Sequence, residues 1–266
     1  GLGTRLLPLT SVFAKELLPI NGKPGLEYIL DECIEAGIKE VIFIISKKKM
    51  MIKKYFYNDK FYKDIIKKKG DPKIIKEYKK ILKYKKMIKF VFQDKPLGTG
   101  DAVYKTKKFI TDKYFLMLLP DDLIIKKNCS KSMIMVHKKF KTSVMASMKV
   151  NKSDVSRWGI YNIKKKIDKN NFIINNVIEK PSIKTSPSNN AVIGRYILPK
   201  TIFSKLKSLK PGKSGEFHIT DAIQALIEDD HQFIGHNFSG KYLDCGTMNG
   251  YIKSTLEISK QWNFVW

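Results

Sequence analysis

Gly1-Leu2-Gly3-Thr4-Arg5 opens the chain with two glycines one residue apart and a cation close behind them. Glycines let backbone approach an anion, and successive N–H groups can form a nest for phosphate, with Arg5 adding a fixed positive charge. Taken alone, the same pair of glycines also suits an ordinary turn. It is not a P-loop, because no GxxxxGK[ST] occurs in the chain. A second group with chemical potential is Asp121, which directly follows the apolar run Phe115 to Leu119. A carboxylate at the carboxyl end of an apolar strand stands where open α/β sheets bind ligands, with helix capping as the plainer alternative. No Ser/His/Asp or Cys/His nucleophile is evident. The four histidines (His137, His218, His231, His236) lack zinc spacing and read as surface or core, and Met133, Met135 and Met145 read as core filling.

These groups need a scaffold, and the apolar pattern supplies one. Leu26, Ile29, Leu30, Cys33 and Ile34 make a helical stripe closed by Gly37, followed by the strand-length run Val41 to Ile45. Ile74, Ile75, Tyr78, Ile81 and Leu82 mark a second helix. Strands are expected at Ile88 to Phe92 and Tyr114 to Leu119, with a helix beginning near Gly100 between them. A helix at Met133 to Phe140 and a strand at Ser143 to Val150 extend the alternation. After residue 150 the texture shifts to short strands at Ile160 to Ile163, Phe172 to Ile178 and Val192 to Leu198, then helices at Thr201 to Leu209 and Ile219 to Asp229. The fold class is α/β: a doubly wound, mostly parallel Rossmann-like sheet (about residues 1–150) carrying a smaller mixed lobe (about 151–266) within one domain. The apolar strand that should lead into the first loop is missing. We expect the chain to begin upstream of Gly1, rather than the sheet to lack a strand, and a further helix to follow Trp266.

Composition narrows the partners. The formal net charge is +26, which suggests nucleic acid, yet only three of the 51 basic residues are arginine (Arg5, Arg157, Arg195). Arginine is the residue that reads bases and forks onto phosphates, so no specific nucleic-acid partner is expected. The longest apolar runs fall far short of the ~18–20 residues of a membrane span. Three scattered cysteines without CxxC spacing fit a reducing cytoplasm better than a disulfide framework or a zinc site.

The opening loop gains meaning from the motifs downstream of it. Gly1 to Thr10, then Lys15-Glu16-Leu17-Leu18-Pro19, then Lys23-Pro24 and Tyr28, resembles the signature of bacterial sugar nucleotidyltransferases. The resemblance continues through Phe92-Gln93 and Pro96 to Gly100, Leu119-Pro120-Asp121, Trp158-Gly159-Ile160 and Val177 to Pro181. Beyond these it takes in Ile193 to Tyr196, Glu216 with Thr220 to Ala222, and Tyr242 to Gly246. It implies transfer of a nucleotidyl group, of the uridylyl type, from UTP to glucose 1-phosphate. It further implies that Arg5 and Lys15 grip the triphosphate, and that Gly1, Leu2, Gly3, Glu16, Gln93 and Gly98 hold the nucleotide. In the same way Asp121 and Asp244 would ligate Mg²⁺, Gly159 and Glu179 would contact the hexose, and Lys180 its phosphate. A homodimer or homotetramer is implied as well. Such a reaction needs no general base, because a phosphate monoester with a second pKa of ~6 is already largely dianionic near neutrality. Ala14, Asp101 and His218 depart from the pattern. The alternatives are a thymidylyl-type enzyme and a non-catalytic regulatory paralogue.

Overall fold

The structure is a computed structural model, and it describes residues 3–212 and 215–260. Gly1 and Leu2, two of the expected nucleotide-binding residues, lie outside the described residues. In chain order the first half comprises β1 (Pro19–Ile20), β2 (Lys23–Pro24), α1 (Gly25–Glu35), β3 (Val41–Ile45), α2 (Met50–Tyr57), α3 (Asp59–Lys69), α4 (Pro72–Met87), β4 (Ile88–Phe92), α5 (Thr99–Tyr104), β5 (Tyr114–Leu118), β6 (Asp122–Ile125) and α6 (Cys129–Phe140). The second half comprises β7 (Ser143–Lys149), β8 (Gly159–Lys166), β9 (Asn171–Glu179), β10 (Asn190–Pro199), α7 (Ile202–Ser208), α8 (Ile219–Glu228), β11 (Phe233–Asn237), β12 (Lys241–Asp244) and α9 (Met248–Ser259).

Every helix and strand expected from apolar periodicity is present. The class is α/β, and the parallel share is smaller than the sequence suggested. Six strands pair in the order β5-β10-β7-β11-β9-β8, and within them only β7 and β11 run parallel. β3 and β4 form a separate parallel pair. The reason lies in two elements. The β8–β9 hairpin pairs into the same sheet through β11, and β10 returns antiparallel between β5 and β7.

Apolar side chains bury both faces. Tyr161, Phe172 and Leu198 pack under α7 and α8 through Ile202, Phe203 and Ile223. Val144, Ala146 and Ile197 pack on the opposite face against Met133 of α6. Phe43 and Ile45 of β3 are covered by Leu30 of α1, Phe56 of α2 and Tyr84 of α4. Burying an aromatic or aliphatic side chain of this size contributes about 1.5–3 kcal/mol, which makes these three clusters the main source of stability.

The strand ends relevant to function are set by one irregularity. The β10–β7 register shifts between Val192 and Tyr196, a bulge that carries Gly194 and Arg195. At that bulge Arg195 lies opposite Leu118, the last residue of β5, and the Leu119 N–H donates to the Gly194 carbonyl at 2.8 Å. The chain leaving β5 is thereby held against β10 before it turns at Pro120.

Candidate active site

Three side chains far apart in sequence meet where β5 ends. Asp121 follows the turn after β5, and Asp244 ends β12. The short β6–β12 pair sets Asp244 opposite Asp122, and the Cys245 N–H donates to the Asp121 carbonyl at 2.8 Å. Lys15, in a single helical turn at residues 15–17, places its Nζ 2.6 Å from Asp121 Oδ2. Burial works against charge on Asp121, but the charge and hydrogen bond of Lys15 outweigh it and hold the carboxyl below the usual carboxylate range. Asp121 is therefore ionised throughout the neutral range.

Asp122 next door plays a different part. Its Oδ1 accepts the Tyr242 hydroxyl at 2.6 Å and its Oδ2 accepts the Gly194 N–H at 2.9 Å. Both oxygens are engaged, so it secures the loop and offers nothing to a ligand. Burial, followed by the neighbouring Asp121 charge, pushes its carboxyl above the ordinary value.

Gly246 explains the space between the Asp121 and Asp244 carboxylates. A side-chain carbon at that position would lie 2.9 Å from Asp121 Oδ2 and 3.2 Å from Asp244 Oδ1. Both oxygens therefore face the small volume that the absent Cβ leaves open. Asp244 is oriented by the Gly246 N–H, which donates to its Oδ1 at 2.8 Å. Two carboxylates over an open cradle fit a hard divalent ion that keeps its other positions for water and substrate phosphates. No cluster of three or more His, Cys, Asp or Glu side chains suited to a metal occurs among the described residues, so a closed protein cage is not offered. Gly246→Ala is expected to fold normally yet lose about a hundredfold in turnover, because an ångström-scale displacement at the reacting groups costs on that order. Steady-state kinetics beside a thermal melt check this, and unchanged turnover would show the cradle to be irrelevant.

The other expected residues fall into neighbouring groups. Gly3 adopts a left-handed conformation with φ 73° and caps the turn at residues 4–6, its carbonyl accepting the Thr10 hydroxyl at 2.7 Å. Leu6 is fully buried and anchors that turn, while Arg5 is exposed. Glu16 is buried, and its Oε1 accepts from Lys49 Nζ at 2.6 Å. Gln93 follows β4 and reaches Gly98 and Asp101. Gly98 takes φ 98°, in a loop clamped by Phe217, whose N–H donates to the Leu97 carbonyl at 2.8 Å. Gly159 and Glu179 are register partners on β8 and β9. Lys180 Nζ stands 3.9 Å from Glu179 Oε1, with both side chains exposed. The structure thus joins Lys15, Asp121 and Asp244 in one cluster. Among the described residues no side-chain hydrogen bond or ion pair connects that cluster to Gln93 or to Glu179 and Lys180. An aromatic contact links the last group to the centre, since the Trp158 and Tyr242 rings lie 5.4 Å apart and Tyr242 holds Asp122.

Sequence reasoning assigned no role to Arg195 and Glu32, which frame the site from behind. Arg195 is fully buried and pairs with Glu32 through Nε and Nη2, the latter at 2.9 Å from Oε2. Its remaining donors reach the carbonyls of Leu119 at 3.1 Å, Gly194 at 3.0 Å and Asp122 at 2.6 Å. The guanidinium therefore ties together the backbone on both sides of Pro120 and Asp121. The signal was an arginine inside the apolar stretch Ala191 to Leu198, a charge that burial obliges to find a carboxylate.

Known proteins share this arrangement of the whole chain. Residues 1–261 match the nucleotidyl transferase family. The UTP–glucose-1-phosphate uridylyltransferase of Bacillus subtilis is 34% identical over 98% of this chain and 89% of its own. UTP–glucose-1-phosphate uridylyltransferase 2 of Staphylococcus saprophyticus is 35% identical over 97% of this chain and 88% of its own. Among solved structures, a UDP-glucose pyrophosphorylase complexed with UDP-glucose superimposes with a TM-score of 0.85 at 32% identity, covering 98% of this chain and 96% of that one. The UTP-bound UGPase of Acinetobacter baumannii gives a TM-score of 0.89 at 28% identity, covering 100% of this chain and 92% of that one. With a family match across nearly its entire length, and relatives more than 30% identical over almost all of it, the chain belongs to the nucleotidyl transferase family.

Proposed function

We propose that the chain transfers a uridylyl group from UTP to glucose 1-phosphate, giving UDP-glucose and pyrophosphate. The observation that carries the reading is the convergence of Lys15, Asp121 and Asp244 on the open space above Gly246. Relatives that match nearly the full chain and act on these substrates support it.

A phosphate oxygen of the sugar phosphate attacks the α-phosphorus of UTP. A new P–O bond forms there as the bond to the bridging oxygen breaks, and pyrophosphate leaves. The nucleophile needs no deprotonation, so the work of the site is to align two polyanions and to neutralise the charge that gathers between them. Lys15 shares its charge between Asp121 and the incoming triphosphate, and Arg5, exposed beside the first loop, grips the phosphates that leave. Gly1, Leu2, Gly3, Glu16 and Gly98 shape the nucleotide site, where Gln93 meets the pyrimidine. Gly159 and Glu179 receive the hexose and Lys180 its phosphate. Mg²⁺ held by Asp121 and Asp244 would supply Lewis-acid neutralisation of the α-phosphate.

In this reading residues of about 1–150 bind the nucleotide and those of about 151–266 the sugar, within one domain. Three buried, unpaired cysteines (Cys33, Cys129, Cys245) accord with a reducing cytoplasm, and the assembly is a homodimer or homotetramer. No helix of the described residues is long and apolar enough to cross a membrane.

The test is pyrophosphate release with glucose 1-phosphate, Mg²⁺ and each nucleoside triphosphate in turn. UTP should give the highest rate. A preference for dTTP would reassign the enzyme to the thymidylyl type, and no release with any triphosphate would favour a non-catalytic role.

A further inference from the structure

Gln93 does not present a free carboxamide. Its Nε2 donates to the Gly98 carbonyl at 3.1 Å and to Asp101 Oδ2 at 2.8 Å. Both partners can only accept, so chemistry fixes which end of the amide is nitrogen, and both hydrogens of the NH₂ are used. The oxygen is the one remaining polar atom. Among the described residues Gln93 Oε1 accepts no hydrogen bond, and the residue is half-buried.

Asp101 is well placed to maintain this state. It lies in the first turn of α5, its side chain 15% exposed, with Lys105 Nζ 3.6 Å from its other oxygen. That helix start is pinned from outside, because the Gly100 N–H donates to the Phe217 carbonyl at 2.7 Å and Thr99 Oγ1 accepts the Ile219 N–H at 3.1 Å. The Gln93 N–H is tied to the Ile45 carbonyl at 2.9 Å, so the backbone on both sides of the contact is fixed.

We propose that Asp101 determines base specificity by locking the Gln93 carboxamide, so that an incoming base meets an acceptor only. This rests on the reading that Gln93 meets the base. Uracil and thymine offer a ring N3–H donor to such an acceptor. Cytosine offers a lone pair at the same ring position, and two acceptors then face each other without a proton between them. A buried mismatch of this kind discriminates more strongly than a change in size does. Asp101 acts through Gln93 and is a positioning residue.

The experiment compares kcat/KM for UTP and CTP in the wild type and in the D101A, D101N and Q93A variants. In D101A the amide is free to turn and offer a donor to cytosine, and the UTP:CTP ratio should fall about tenfold or more, equivalent to about 1.4 kcal/mol. D101N keeps an oxygen for Gln93 and should retain most of the ratio. If D101A lowers both substrates equally and leaves the ratio unchanged, Asp101 merely supports α5 and the proposal is overturned. A ratio that collapses in Q93A but holds in D101A also overturns the lock while sparing the reading of Gln93. An unchanged ratio in Q93A removes that reading, and the lock with it.

Discussion

Asp121→Asn should abolish turnover and leave the fold nearly as stable as the parent. The carboxylate sits at the focus of the site, ionised against the cost of burial because Lys15 stands 2.6 Å away. Asparagine keeps the shape and one accepting oxygen but removes the charge that a divalent ion and the triphosphate–lysine exchange both require. Loss of one preorganised electrostatic group of this kind costs about 10²–10³-fold in rate, and the loss of a metal ligand adds to it. Stability should respond little. The variant loses an ion pair, but it also removes one of the negative charges crowded at Asp121, Asp122 and Asp244, and these effects oppose each other. For a chain of this size each kcal/mol moves the melting midpoint by about 2–4 °C, so a shift within a few degrees is expected. Single-turnover kinetics and a thermal melt on the same preparation separate the two effects. Activity near the parent level would remove Asp121 from the metal site.

The largest effect on stability should come from Arg195→Met. Arg195 is wholly buried, and Glu32 opposite it is 7% exposed. Removing the guanidinium leaves the buried Glu32 carboxylate with, among the described residues, only the Ser130 hydroxyl at 2.5 Å and the Ser130 N–H at 3.1 Å as partners. Breaking one side of a buried pair costs about 3–5 kcal/mol. The carbonyls of Leu119, Gly194 and Asp122 each lose the guanidinium donor as well, although Gly194 keeps the Leu119 N–H. A fall in melting midpoint of ~10 °C or more is expected. The double variant Arg195→Met with Glu32→Gln should recover part of the loss, since no charge is then stranded. A double variant no more stable than the single one would show that the backbone contacts, rather than the ion pair, carry the effect.

The parts of this architecture that were legible in the sequence are those whose signal is local. Val41 to Ile45 and Tyr114 to Leu119 are apolar runs of strand length, and the stripe Ile74, Ile75, Tyr78, Ile81 and Leu82 marks α4. The site was less local. Lys15 and Asp121 are 106 positions apart, and nothing in composition or periodicity brings them together; only the order of motifs did. The β6–β12 pair that carries Asp244 into the site is four residues long on each side, too short for alternation to reveal. α2 and α3 lie in a lysine-dense stretch whose apolar stripe is thin, and they were not anticipated. The parallel character of the sheet was overestimated because the pairing of the β8–β9 hairpin to β11 and the antiparallel return of β10 between β5 and β7 join segments distant in sequence, which no local pattern reveals. Asp101 was visible only as a departure from the family pattern, and its contact with Gln93 gives that departure a physical meaning.

The central assignment is a sugar nucleotidyl transfer carried out over Asp121 and Asp244. Phosphorus NMR of UTP and glucose 1-phosphate with the enzyme, followed with Mg²⁺ and again in the presence of a chelator, tests it most directly. With Mg²⁺ the sugar-phosphate monoester signal should disappear as the paired signals of a sugar diphosphate and the single signal of pyrophosphate grow in equal amounts, and the chelator should stop the change. Inorganic phosphate in place of pyrophosphate, or the same rate with and without Mg²⁺, would contradict it.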